Sequence, residues 1–349
     1  MRSIASIVAF VLLGLLSAVI IGFRSDLPFA SLGYDEEQEG LSERIIIKFS
    51  HVVAENTPKG LAVDRFSQLV KEKSNGRVEV QVFPNGILHS DQTEMDALRR
   101  GDIQMIAPAF SNLANRIPAW SVLDLPYVFR DQQDVEQAFH GKIGGMLFET
   151  LEPLNMKGLA FWSNGFKQMT SNKPIRTPQD FAGQRFRIIQ SPVLEAQFRT
   201  LGATAQGAPF NDVYRKLANN EVDGQENTIS NIYSKRLYQV QKYMTVSNHG
   251  YLGYAVIINK SFWEKLPPDV QRVLTEALEE ATAYSDQIAV SMNEQQWKQL
   301  TKESSMEIHV LTPQEQAVWR EALQPVYKSF APMIGSALMD EISKLHRQQ

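Results

Sequence analysis

Apolar positions along this chain recur in two ways. Short unbroken or alternating runs mark strands. Ile45–Ser50 (IIIKFS) is β-branched and apolar, which predicts a buried strand, and Val78–Phe83 (VEVQVF) alternates and predicts another, stopped by Pro84-Asn85-Gly86. A helical spacing appears between them. Leu61, Phe66, Leu69 and Val70 share one face of Leu61–Ser74, and Asn75-Gly76 ends it, because glycine accepts the left-handed backbone that a helix end needs. Thr93–Arg100 reads as a helix and Ile103–Ala107 as a short strand. This βαβα order predicts a parallel-rich sheet covered by helices.

The pattern then changes. Leu159–Trp162 opens a second region, in which RFRIIQ (185–190) predicts a strand stopped by Ser191-Pro192. The segment VDGQEN (222–227) puts turn residues and uncharged polar groups between two helix-like stretches, which predicts a turn. Tyr254–Asn259 (YAVIIN) reads as a buried strand returning to the first sheet. Pro267-Pro268 opens a long helix to about Lys302, with Val270, Val273, Leu274, Ala277, Leu278 and Ala281 as its apolar stripe. Thr312-Pro313-Gln314-Glu315 starts another. Periodicity alone therefore predicts an α/β protein.

The N-terminus has a different pattern. Arg2 precedes an uncharged apolar run from Ile4 to Phe23. A positive start before such a run is the pattern of an export signal. At about 20 residues the run also reaches the length that spans a bilayer. Residues 1–24 are expected to be either a cleaved signal peptide, with Phe29-Ala30-Ser31 as a late cleavage site, or a retained anchor. Residues 25–43 carry Asp35, Glu36, Glu37 and Glu39 and predict a flexible acidic tether.

Composition narrows the function classes. The 349 residues are 43% hydrophobic, ordinary for a globular chain and long enough for two cores. A formal net charge of −4 gives no footprint of a nucleic-acid binder. The absence of cysteine removes disulfides, thiol catalysis, thiolate metal sites and lipidation at an N-terminal cysteine. The hydrolase signature GxSxG, the zinc motif HExxH, the P-loop and GxGxxG do not occur, and no two histidines stand at i, i+4. The expectation is a protein that is not an enzyme.

The most informative stretch runs from Gly183 to Tyr254. It begins GQRFRIIQSPVLEAQF and continues through FNDVYRKLANNEVDGQEN to SNHGYLGYA. Arg187 lies inside its strand, and an arginine on a strand offers a planar fork that grips a carboxylate through two parallel hydrogen bonds. In their order these blocks resemble the solute-binding proteins of tripartite ATP-independent (TRAP) transporters, in the branch that captures four-carbon dicarboxylates. The resemblance covers about 45–345. It implies a two-lobed, periplasmic-binding-protein-like α/β fold with a ligand cleft and a long lobe-spanning helix. Lobe I would be 44–164 with 252–292, and lobe II 165–251 with 293–345.

By the same resemblance Arg187 binds the ligand carboxylate, and Lys167 in WSNGFKQMTSN assists, as a point charge where relatives often carry arginine. Asn227 contacts the ligand, its other reading being a turn residue. Phe210 in APFNDVY lines the cleft, its other reading being a core ring. A dicarboxylate needs a second cationic end, and KFSHVVAENTPKG offers His51 and Lys59 beyond the carboxyl end of the first strand, where open α/β sheets bind ligands. A bound carboxylate would favour a charged His51. His249 is read as a hinge-strand residue shaping the cleft. Ala109 stands where sialic-acid-binding relatives carry an acid, and an apolar residue there suits a diacid. The implied function is extracytoplasmic capture of succinate, fumarate or malate, with no cofactor, for TRAP membrane subunits. The alternative is a co-receptor for a membrane sensor kinase or a separate carrier.

Overall fold

Ile45–Ser50 does form a strand, β1, and it lies parallel to β2 (Val78–Phe83), with Ile45 opposite Val78 and Ser50 opposite Phe83. The computed structural model describes residues 44–346. The expectations for 1–24 and for the tether at 25–43 therefore lie outside the described residues. On its other side β1 pairs in parallel with β3 (Met105–Ile106). The helix Pro58–Lys73 closes the first crossover. Thr57 caps it by accepting the Gly60 N–H at 3.2 Å. A side chain at position 60 would put its Cβ 2.4 Å from the Ala54 carbonyl oxygen, so only glycine lets this loop fold back on the first turn.

The sheet is completed from farther along the chain. β4 (Met156–Phe166) and β10 (Tyr251–Asn259) pair antiparallel, and β10 also runs antiparallel to β3, giving the order β2-β1-β3-β10-β4. All nine residues of β10 are buried, as its continuous apolar sequence requires of a strand covered on both faces. Phe49 of β1 stacks on Trp162 of β4 at 6.2 Å and meets Phe66 of the first helix edge-on.

A second sheet takes up the middle of the chain, in the order β11-β9-β5-β8-β6-β7. Its strands are β5 (Gln168–Ser171), β6 (Arg185–Ile188), β7 (Thr204–Gly207), β8 (Gly224–Asn227), β9 (Tyr243–Val246) and β11 (Glu307–Val310). The turn expected at VDGQEN is confined to Val222 and Asp223, where the chain bends; Gly224–Asn227 is a fully buried strand, paired with β5 on one side and β6 on the other. Polar side chains hid it, because Gln225, Glu226 and Asn227 are buried by hydrogen bonding and not by apolarity.

The chain passes from sheet to sheet at Lys167, between β4 and β5, and again through 247–250, between β9 and β10. The helix Pro268–Glu303 then runs for 36 residues, about 54 Å at the usual rise. It packs on β4 and the helix Pro58–Lys73 of the first sheet, and on Ile229–Ser234 of the second. Its buried positions run from Val270 to Ala281 and then resume at Ser285, Ala289, Gln296 and Leu300. The fold is thus two-lobed α/β, with one helix spanning both lobes. Among the described residues no helix is long and apolar enough to cross a membrane.

Candidate functional site

Between the two sheets lies a small cavity. It offers about 20 Å³ to the centre of a water-sized sphere, near the minimum that holds one water. Lys59, Asp91, Arg187, Phe210, Asn227 and Tyr254 line it, with Ala109, Asn112 and Asn231. Four of the six residues expected from the sequence therefore converge: Arg187, Lys59, Asn227 and Phe210. Lys167 and His51 stand outside the lining.

Arg187 projects from β6 and has no exposed surface. Its Nε and Nη2 donate to the Ala208 carbonyl at 2.9 and 2.5 Å, which locks the guanidinium plane. Nη1 is buried without a hydrogen-bond partner. Burial lowers this arginine to about 10, so it keeps its charge at neutral pH, helped by Asp91, Glu226 and Asp212. A buried, fixed cation with an unsatisfied donor is chemically suited to an anion. Asn227, at the end of β8, accepts from Asn231 Nδ2 at 2.8 Å and from the Thr228 N–H at 3.1 Å. Both bonds use its oxygen, which leaves the NH₂ as the donating end.

Lys59 approaches from the first lobe. It is buried, donates to the Ala107 carbonyl at 2.9 Å, and sits 3.9 Å from the centre of the Tyr254 ring. Burial lowers its affinity for a proton, and Glu94 and Asp91 pull in the other direction. His51 is fully buried beside the site, and neither ring nitrogen makes a hydrogen bond of ordinary geometry. Burial first, then the charge of Lys59, bring it down to about 3, although the Val53 backbone offsets part of the fall. These surroundings by themselves favour a neutral His51; the charged imidazole is the expectation for a bound carboxylate.

Lys167 departs from expectation in its partner. Its Nζ donates to Glu226 Oε1 at 2.7 Å, both groups almost without exposure. Glu226 Oε2 meets His249 Nε2 at 2.8 Å, and His249 Nδ1 meets Ser247 Oγ at 2.7 Å. Burial would raise the Glu226 carboxyl, but Lys167 and the His249 hydrogen bond hold it at about 2. This chain of contacts spans both crossovers, so Lys167 and His249 position the hinge. At the same level, Asp124 joins the lobes, accepting from Ser111 Oγ and Ser191 Oγ, each at 2.6 Å.

Sequence reasoning missed Asp91, Glu94, Asp124, Glu226 and the role of Tyr254. Tyr254 and Glu226 stood inside the informative stretch, and a buried acid opposite Lys167 was the available signal. The first-lobe acids had none, since carboxylates are ordinarily solvated.

These features describe two lobes around a cation-lined cavity, the arrangement of a receptor for a small anion. The chain belongs to the bacterial extracellular solute-binding protein family 7, also called DctP, whose model matches residues 49–332. It is 47% identical over 348 residues to the C4-dicarboxylate-binding protein DctB of Bacillus subtilis, covering 99% of both chains. To the C4-dicarboxylate-binding periplasmic protein DctP of Rhodobacter capsulatus it is 44% identical, over 85% of this chain and 89% of that one. Among solved structures it resembles a TRAP periplasmic solute-binding protein of Shewanella oneidensis with bound succinate, with a TM-score of 0.85 and 37% identity over 86% of this chain and 99% of that one. A Pseudomonas aeruginosa TRAP protein with bound L-malate gives a TM-score of 0.79 and 34% identity, over 82% of this chain and 99% of that one.

Proposed function

We propose that this protein is an extracytoplasmic receptor for C4-dicarboxylates, succinate, fumarate and malate, which delivers its ligand to TRAP membrane subunits. The buried Arg187 guanidinium, with Nη1 unpartnered in a cavity that Lys59 also lines, carries the reading. One ligand carboxylate lies on Arg187 and Asn227, and the other faces Lys59. Phe210 and Tyr254 supply apolar walls for the carbon chain. Lys167 and His51 act from behind, one by holding the hinge acid and the other as a neutral wall. Capture of this kind involves no chemical step and no cofactor. Relatives named for C4-dicarboxylates and neighbours holding succinate and malate support the ligand class.

The lobes divide in this reading at 44–164 with 252–292 and at 165–251 with 293–345. The change of sheet at Lys167 and at 247–250 supports those limits. A diacid is larger than the cavity, so the lobes open to admit it and close to report it. The apolar run Ile4–Phe23 and the acidic segment after it support a second use, in which an anchored receptor informs a membrane sensor kinase or a separate carrier. Fractionation with N-terminal sequencing separates these: a single soluble species starting near Ser31 removes the anchor.

Calorimetry tests the ligand. Succinate, fumarate or malate is expected to bind one-to-one, and to raise the melting temperature by binding only the folded state. A shift with a monosaccharide or amino acid, and none with any diacid, would overturn the assignment.

A further inference from the structure

The cavity holds an acid where an anion receptor should have none. Among the charged side chains lining it, Lys59 and Arg187 are cations, but Asp91 is a carboxylate. Asp91 Oδ2 accepts the Phe210 N–H from the other lobe at 3.2 Å, while Oδ1 is buried without a partner. One turn further on, Glu94 is 1% exposed, and neither of its oxygens has a hydrogen-bond partner.

We propose that Asp91 takes up a proton when the cleft binds a dicarboxylate, with Glu94 already holding one behind it, so that a diacid and a proton bind together. This rests on the receptor reading above and adds a second ligand to the same site. The argument is one of charge. A dianion is neutralised by Lys59 and Arg187 only if neither acid is ionised. Every ionised acid left in the cavity under a bound diacid is an unpaired buried charge, which is strongly unfavourable. Before binding, Asp91 is a counterion for Arg187. A ligand carboxylate on that guanidinium displaces it from this role and leaves it facing like charge.

The surrounding groups do not undo this. Arg187 faces Asp91 from β6, with Asp212 and Glu226 beyond it, and Lys59 faces both Asp91 and Glu94 from the first helix. His51 beside Lys59 is neutral. Lys235 lies over the far face of Phe210, 5.1 Å from the ring centre. Burial already raises both acids. For Asp91 the pull of Arg187, the Phe210 N–H and Lys59 offsets part of it, and a bound anion weakens that pull.

The test is calorimetry of succinate binding to the exported protein at about pH 7.5, in phosphate and in Tris, whose ionisation heats differ widely. The expected result is a binding heat that differs between the buffers in the sense of proton uptake. Affinity should also fall as pH rises from about 7 to 9, by up to about tenfold per unit where a whole proton is taken. In Asp91→Asn both effects should collapse. Equal heats in the two buffers and a flat pH profile, with succinate still bound one-to-one, would overturn the proton proposal and leave the receptor intact. Full proton uptake in Asp91→Asn would overturn the assignment to Asp91. If no diacid binds at all, the receptor reading itself fails. Equal wild-type heats overturn the proposal even where the variant does not fold, while Asp91→Asn separates Asp91 from Lys59 and Glu94, both at about 8.

Discussion

Charge burial governs this protein at the level of single residues. Lys167, Glu226 and His249 form a connected set that is almost without exposure, and each depends on the others. Glu226→Gln should therefore destabilise the fold by about 3–5 kcal/mol, because it strands a buried ammonium. Chemical denaturation measures this, and a loss below about 1 kcal/mol would mean that water reaches the pair. The same set makes stability pH-dependent. His51 and His249 have folded values below the ordinary 6.5, both through burial first. Their contribution is fully present above that value and is lost as pH falls through it, since the unfolded chain then binds protons that the native one refuses. Glu226, held at about 2 against an ordinary 4.5, adds a further loss at lower pH. Glu94, raised to about 8, and the raised Asp91 and Asp124 act in the opposite sense as pH falls from about 8, so the melting temperature should fall mainly below about pH 4.5. A profile flat across that range would contradict the burial. Arg187→Ala should keep the fold and remove most diacid binding, and Arg187→Lys should also bind poorly, since an ammonium cannot reproduce the fork. An unchanged dissociation constant for Arg187→Ala would move the anion site elsewhere.

At the scale of elements, β8 decides most. It carries Glu226 to the hinge and Asn227 to the cavity from the middle of the second sheet. Gly224 begins it because a Cβ there would lie 2.5 Å from the Phe186 ring and 2.6 Å from the Thr170 carbonyl oxygen. Gly224→Ala should cost about 1–3 kcal/mol of stability. It should also weaken diacid binding, as β8 shifts against β5 and β6. The helix Pro313–Ala322 provides a contrast. Its Thr312–Glu315 capping box is local and far from the cavity. Thr312→Ala should cost about 1 kcal/mol and leave affinity unchanged. Calorimetry on the two variants separates them, and equal losses of affinity would show that both act only through global stability.

For the whole molecule the issue is closure. Contacts that join the lobes around the cavity include Asn211 Nδ2 to the Asn85 carbonyl at 2.7 Å, the Phe210 N–H to Asp91, Ser191 Oγ to Asp124, and Asn164 Nδ2 to Thr228 Oγ1 at 2.8 Å. The Asn211 contact lies outside the cavity lining, so in the two-lobed receptor reading it biases the open–closed equilibrium apart from the ligand. Asn211→Ala removes the exposed one and should weaken the closed form by about 0.5–1.5 kcal/mol. The effect should appear mainly as faster ligand release. Stopped-flow displacement reads that rate, and an unchanged one would show that closure does not depend on this contact. The crossovers at Lys167 and 247–250 share the Lys167–Glu226–His249–Ser247 contacts, which ties ion pairing to the path the lobes move along. There Tyr127, at a left-handed φ of 56°, donates to the His249 carbonyl at 2.7 Å.

The sequence by itself determined the elements whose signal is local. β1, β2, β10 and the long helix are written in apolar periodicity and proline placement, and these act within a few residues. It also singled out Arg187, Lys59, Asn227 and Phe210, through blocks whose order resembles one family. Tertiary structure alone decided which polar residues are buried. A strand such as GQEN has no apolar period, so only its neighbours β5 and β6 identify it. Whether a lysine meets a ligand or Glu226 depends on residues 59 positions apart. The charge on His51 depends on Lys59 and on the walls that exclude water, and the acids at 91 and 94 count only because the second lobe closes over them. Desolvation and Coulomb terms belong to the assembled site and to no single position in the chain.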